Sequence, residues 1–341
     1  MTKPPNTPPT LSHGLMIPWD AEELHVASDS ARTATYRRLQ SHYREHVLGV
    51  GVGCDSKEIP RPNLLPRKAV EENPGLNFLS PEITEYARAR LRYVVCHGGT
   101  LEEDRLYRNM LSSMPMCFNI FGYWRQYPIS AAQLLGELLD LDIAAITAME
   151  VEWIPRGAHP LGDKTAFDAY VEYLTHDNEV GFLGIETKYT EPFSAKEYDR
   201  ENYRTLTTKA HGFVEGAADV LVKRATNQLW RNLLLVKAVQ EAEGFKHGHV
   251  VVLALEGDKG AARAVAGVRG QLEAPESCVR VVSLERLVAG AVGLGGEGYE
   301  AWGRAFDARY LEVGGGCDNS MNSRSFSMPY WDNLIVNDWR R

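Results

Sequence analysis

Nowhere in the 341 residues do two cysteines form a CxxC pair, and the five present (Cys54, Cys96, Cys117, Cys278 and Cys317) are scattered and odd in number. That leaves no zinc signature and no disulfide framework, and it points to reduced thiols in a cytoplasmic protein. No apolar run reaches the ~18 residues expected of a membrane span. The first residues also lack the charged-then-apolar layout of a secretory signal, so the cytosol is the expected compartment. Positive charge is in deficit: the formal net charge is −8, which argues against a generally basic nucleic-acid coat. A local basic groove remains compatible with that balance, because net charge reports on solubility more than on a site. Internal repeats, helix-turn-helix patterns and zinc fingers are absent as well, so no base-reading module can be named. What remains is the composition of an ordinary soluble globular protein, with a length that suits one large domain or two smaller ones.

The chain begins with a Pro- and Thr-rich stretch over residues 1–19 that reads as a flexible arm. Residues 20–128 read as mainly helical. Helical spacing runs from Asp20 to Leu48, and Ser80-Pro81-Glu82 opens a second helix with a cap, a proline at its first position and an acid in its first turn. Arg88, Arg90 and Arg92 of that helix read most simply as a solvated face. Leu106–Trp124 is apolar and aromatic, and reads as a buried helix followed by an irregular core-filling stretch. Residues 129–292 carry the candidate core. A Leu-rich helix starts at Ser130, strands are expected at Ala144–Ile154, in the hairpin described below and at His249–Leu255, and a helix is expected over Thr226–Ala242. Residues 192–220 resist assignment, Val279–Ser283 reads as a strand, and residues 293–341 supply a C-terminal helix and tail. The order helix, strand, strand, strand, helix, strand predicts an α/β fold. Three antiparallel strands would be joined by a helical crossover to a fourth, giving a mixed sheet with helices on its faces.

The hairpin between Thr165 and Glu191 (TAFDAYVEYLTHDNEVGFLGIETKYTE) holds the strongest chemical clue. Strand side chains alternate, so Glu186 and Lys188 share a face, and a turn centred on Asp177 sets Asp168 opposite Glu186. Like charges facing each other destabilise a sheet, so the pair calls for a cation. Two carboxylates on neighbouring strands form a hard-oxygen site suited to Mg²⁺ or Mn²⁺, and a lysine beside them suits water positioning or phosphate stabilisation. Gly184 would let a backbone or ligand approach the sheet closely.

Helix, strand, Asp168, Glu186-Thr187-Lys188, helix, strand: in that order the chain resembles the PD-(D/E)xK nuclease superfamily, which includes many restriction endonucleases. A closer likeness, to a bacterial family assigned to restriction endonucleases, rests on NMLSSMPMCFNIFG (Asn109–Gly122), GIETKYTEPF and NQLWRNLLL, and spans about residues 30–311. One departure is that Phe167 stands where relatives often carry proline. The resemblance implies a restriction-endonuclease-like fold and a metal-dependent endodeoxyribonuclease serving restriction or anti-phage defence. Asp168 and Glu186 would bind the ion, the Thr187 carbonyl would complete its inner shell, and Lys188 would orient the water. Glu137 matches an acid that several relatives carry on the preceding helix, although it reads equally as a solvated helix residue. Gln228 matches a polar residue that some relatives aim at the site, while Asn232 breaks the Gln-x-x-x-Tyr form of exonuclease-like branches.

Glu150 and Glu152 share a face of the first core strand. Either Glu152 adds an acid to the site or both lie in water at a strand edge, the edge being the simpler reading. His159 and His176, in flanking loops, receive no role. Arg200, Arg204, Lys209, Lys223, Arg224 and Arg231 are the candidates for phosphate contact. The expected partner is DNA, with RNA also compatible, no membrane is involved, and a homodimer or a defence-system partner protein fits. Two other classes compete: a noncatalytic nucleic-acid-binding or assembly module that retains the fold, and a metal-free glycoside hydrolase using Glu150, Glu152, Glu172 and Glu186, in which Lys188 has no role.

Overall fold

The computed structural model describes residues 26–312 except Arg156 and Ala158. The expected N-terminal arm and the Gly- and Asn/Ser-rich tail lie outside the described residues. In chain order the elements are α1 (Ala31–His42), β1 (Gly53–Cys54), β2 (Pro60–Arg61), α2 (Arg67–Glu72), α3 (Pro81–Cys96), α4 (Glu103–Arg108), α5 (Ser113–Trp124) and α6 (Pro128–Leu139). Then come β3 (Ala145–Trp153), β4 (Phe167–Leu174), β5 (Val180–Thr187), α7 (Glu201–Lys209), α8 (Ala217–Leu221), α9 (Asn227–Glu243) and β6 (His247–Ala254). The chain closes with α10 (Lys259–Arg269), α11 (Pro275–Cys278), β7 (Val279–Ser283), α12 (Leu284–Gly293) and α13 (Glu297–Tyr310). Among the described residues no helix is long and apolar enough to cross a membrane.

Local chemistry explains the hairpin and the caps. Asn178 takes a left-handed conformation at φ 60°, which its short polar side chain tolerates, and the turn closes with Thr175 N–H on the Glu179 carbonyl at 2.9 Å. The register that follows pairs Ala169 with Ile185 and Tyr170 with Gly184, so Asp168 and Glu186 stand one step further along. Ser80 caps α3 as its sequence predicts, its hydroxyl accepting from Ile83 N–H. The apolar stretch before Trp124 differs from expectation. A short helix, α4, comes first and the long helix α5 follows, because Pro115 falls in the first turn, where its missing N–H has no partner to lose.

The five core strands lie in the order β3-β4-β5-β6-β7. β3, β4 and β5 form an antiparallel meander, and β6 and β7 add in parallel after helical crossovers. Alternation splits the core into two apolar layers. Ala169, Val171, Leu183, Ile185, Val251 and Leu253 pack with α3, α5, α6, α12 and α13. Tyr170, Phe182, Val250, Val252 and Ala254 pack with α9 and α10. Each large apolar side chain buried this way stabilises the fold by about 1.5–3 kcal/mol.

Two readings of the strands are corrected. Strict alternation along β3 and β4 would put Trp153 on the face of Val151 and Phe167 on that of Ala169, but the two rings stack on each other, centroids 5.4 Å apart, in the layer of α9. Both strands reverse their facing at the step that holds Glu152 and Asp168. Gly184 admits no ligand: the Phe167 ring fills the space above it, where a Cβ would stand 2.5 Å from the ring. Arg90 is the third correction, since it is buried and not on a solvated face.

Candidate active site

Glu186 is the penultimate residue of β5, and the start of α9 lies against it. Gln228 Nε2 donates to its Oε1 at 2.6 Å and Asn232 Nδ2 to its Oε2 at 2.7 Å. The two amides are one helical turn apart and so project from one face. Ser194 N–H donates to Gln228 Oε1 at 2.8 Å, which turns the amino end of that amide toward Glu186. Past the end of β5, Lys188 N–H bonds the Leu253 carbonyl of β6 at 2.7 Å, keeping the backbone in register. Lys188 Nζ therefore reaches Glu186 Oε1 at 2.8 Å, with both side chains almost wholly buried. Asp168 completes the group, its Oδ2 accepting from Thr187 N–H at 2.7 Å and Thr187 Oγ1 at 2.9 Å. Both of those bonds fall on Oδ2, and among the described residues none falls on Oδ1.

Glu152 belongs to the same neighbourhood. Burial pushes its pKa up to about 8, with the charges of Asp168 and Glu186 adding to the rise and Arg105 and Arg90 opposing it. Asp168 is pushed up to about 7, by burial first and then by Glu186, against Lys188 and the Thr187 bonds. For Lys188, burial disfavours the charged form, but the carboxylates of Glu186 and Asp168 outweigh it and raise the pKa above the usual lysine value. The residue is therefore an ammonium and donates to Glu186.

The N-terminal helices α4 and α5 hold the segment that follows Lys188. Ser113, at the start of α5, donates to Glu191 Oε1 from its N–H at 2.8 Å and its hydroxyl at 2.5 Å, and Arg105 joins them at 3.0 Å. Burial alone would raise the Glu191 carboxyl, yet these donors, the Glu191 backbone N–H and the Arg105 charge hold it below its usual value. Cys117, on the next turn of α5, donates its thiol to the Asp168 carbonyl at 3.3 Å. Complete burial keeps that thiol protonated and inert.

Among the residues singled out from the sequence, Asp168, Glu186, Thr187, Lys188 and Gln228 come together. Glu137 does not: it is exposed on the polar side of α6, bonded to Gln133 of its own helix at 3.0 Å. Glu150 is held by Arg90 at 3.0 Å. Glu152 is half-buried on the edge strand β3, within reach of the charges of Asp168 and Glu186. His159 bonds the Thr165 carbonyl, and His176 is paired with Asp142. Arg204 is held by Asp199 and Asp219, and Arg231 bonds Thr165 Oγ1 and covers the Tyr198 ring, whereas Arg200, Lys209, Lys223 and Arg224 are exposed. Asn232, Arg90, Ser113 and Glu191 were not foreseen. Only Asn232 had a local signal, its four-residue spacing from Gln228.

Among the described residues, no three or more His, Cys, Asp and Glu side chains form a ready-made metal cage. A sequence profile of the PD-(D/E)XK nuclease superfamily matches residues 27–312. No curated protein and no solved structure matches the chain.

Proposed function

Since this chain belongs to the PD-(D/E)XK nuclease superfamily, we propose that it is a cytoplasmic, divalent-metal-dependent DNA endonuclease, acting in restriction or anti-phage defence. The observation that carries this reading is the Glu186 carboxylate, fixed by Gln228, Asn232 and Lys188, beside an Asp168 whose Oδ1 takes no hydrogen bond among the described residues. This donor set fits Mg²⁺ or Mn²⁺. Mg²⁺ keeps several waters and needs only one or two carboxylates, so a closed cage of three acids is not required. Asp168 and Glu186 would hold the ion, with the Thr187 carbonyl as a further oxygen donor. When bound, the ion supplies Lewis-acid polarisation of a phosphoryl oxygen and a lowered pKa for water.

The protein groups then divide the remaining work. Lys188 Nζ donates a hydrogen bond to the attacking water or to the phosphate oxygen on which charge develops. Gln228 and Asn232 hold Glu186 in one orientation, so the carboxylate needs no rearrangement when substrate binds. Arg200, Lys209, Lys223 and Arg224 give the backbone phosphates exposed cations on the segment leading into α9. A noncatalytic module would have no need of two amides trained on one buried carboxylate. The test is cleavage of plasmid and linear DNA, with RNA alongside, in Mg²⁺ or Mn²⁺ by the wild type, Asp168→Ala and Lys188→Ala. Cleavage by the wild type alone is expected, and equal behaviour of all three would overturn the reading.

A further inference from the structure

The ladder between β3 and β4 pairs Val151 with Ala169 and Trp153 with Phe167. Glu152 and Asp168 occupy the step between those pairs, and Glu186 stands one step beyond the Ala169–Ile185 pair on β5. Three acidic residues from three adjacent strands therefore occupy one row of the sheet. Glu152 has φ 51°, a left-handed conformation that a glutamate rarely adopts. Such backbone strain persists only where the surroundings impose it.

Arg90 of α3 imposes it. Its Nε donates to the Val151 carbonyl at 2.8 Å, its Nη2 to the Glu152 carbonyl at 2.9 Å and its Nη1 to Glu150 at 3.0 Å. Tyr86, one turn earlier on α3, accepts from Val151 N–H at 2.9 Å. The peptides on both sides of Glu152 are thus held by one helix that lies outside the hairpin. The reversal at Glu152 sends Trp153 into the layer of α9 and leaves the Glu152 carboxylate within electrostatic reach of Asp168 and Glu186. A relaxed β conformation at this position would continue the ordinary alternation and lose the reversal.

We propose that Glu152 is a third functional acid of the site, raising its affinity for a divalent cation, and that Arg90 is the positioning residue that aims it there. The proposal rests on the reading of Asp168 and Glu186 as the cation's ligands. Glu152 acts through charge and through hydrogen bonds to water around the ion, and no closed cage is needed. The strain at position 152 is the local cost of that placement.

Mn²⁺ titration of the full-length protein by calorimetry, with thermal melts in EDTA, tests this. Glu152→Gln should weaken Mn²⁺ binding roughly tenfold, as loss of a supporting group at a metal site commonly does. Glu152→Gly should weaken it equally while raising the EDTA melting temperature, because glycine accepts positive φ without strain. Arg90→Lys keeps the charge but loses the two-carbonyl fork, and should weaken binding in the wild type without adding to Glu152→Gln. Wild-type affinity in Glu152→Gln and Glu152→Gly, with binding abolished in Asp168→Asn, would overturn this inference alone. Additive losses from Arg90→Lys and Glu152→Gln would overturn the positioning role. Wild-type affinity in Asp168→Asn would overturn the reading of the site itself.

Discussion

Replacing Lys188 by methionine removes the ammonium that faces Glu186 at 2.8 Å, with side-chain exposures of 8% and 4% for the pair. Removing one partner of a buried ion pair costs about 3–5 kcal/mol, because the other charge is left without compensation. Gln228 and Asn232 still donate to Glu186 in the variant, which favours the lower end, about 3 kcal/mol. For a chain of 341 residues, that corresponds to a melting temperature roughly 4–5 °C lower. The loss must depend on pH. Lys188 lowers the pKa of Asp168, so its removal drives that carboxyl further above its ordinary value. A carboxyl raised in the folded state takes up a proton as pH falls and thereby relieves the repulsion with Glu186. The loss should thus be largest near pH 8, above the value of about 7 at which Asp168 titrates in the intact protein, and should shrink toward pH 5.5. Urea denaturation in EDTA at both pH values measures it, and Glu186→Gln in the Lys188→Met background should recover most of the stability. A loss under about 1 kcal/mol at pH 8, or one that grows toward acid, would refute the account of a buried charge cluster offset by Lys188.

The metal-free wild type should itself lose stability as pH rises from about 4 to about 8. Asp168 and Glu152 titrate at about 7 and about 8 when folded but near their ordinary values when unfolded, so their favourable contribution is complete at low pH and disappears upward. Melts across that range check this, and Mg²⁺ should restore stability at the upper end. Asn232→Leu strands Glu186 Oε2 without a donor, with an expected cost of about 1.5–3 kcal/mol in stability and a tenfold or greater fall in cleavage rate, read by denaturation and single-turnover assays. Gly184→Ala forces a methyl to within 2.5 Å of the Phe167 ring and should cost about 1–3 kcal/mol without altering Mn²⁺ affinity, measured by melting and calorimetry.

Local interactions made the hairpin legible. Its register depends on a turn of four residues and on a period of two, and both can be read from the chain itself. The same arithmetic set Asp168 opposite Glu186 and put Lys188 on the same side as Glu186. Glu137 also had a readable local context: four residues after Gln133, it lies on the polar stripe of a helix whose leucines face the sheet, which argues for solvent. The likeness to relatives had made the site reading for Glu137 competitive with that simpler one.

What the sequence by itself determined was therefore the order of elements, the pairing of the hairpin and the convergence of two acids and a lysine, because each depends on neighbours in the chain. Tertiary structure alone decided that Arg90, 62 residues before Glu152, is a buried clamp and not a surface charge, and that Glu152 comes within electrostatic reach of Asp168. It also decided that Ser113 meets Glu191 across 78 residues. Those placements depend on how helices from the first third of the chain pack on a sheet from its middle. Periodicity reports which face of an element is apolar, but not which distant side chain will come to rest against it.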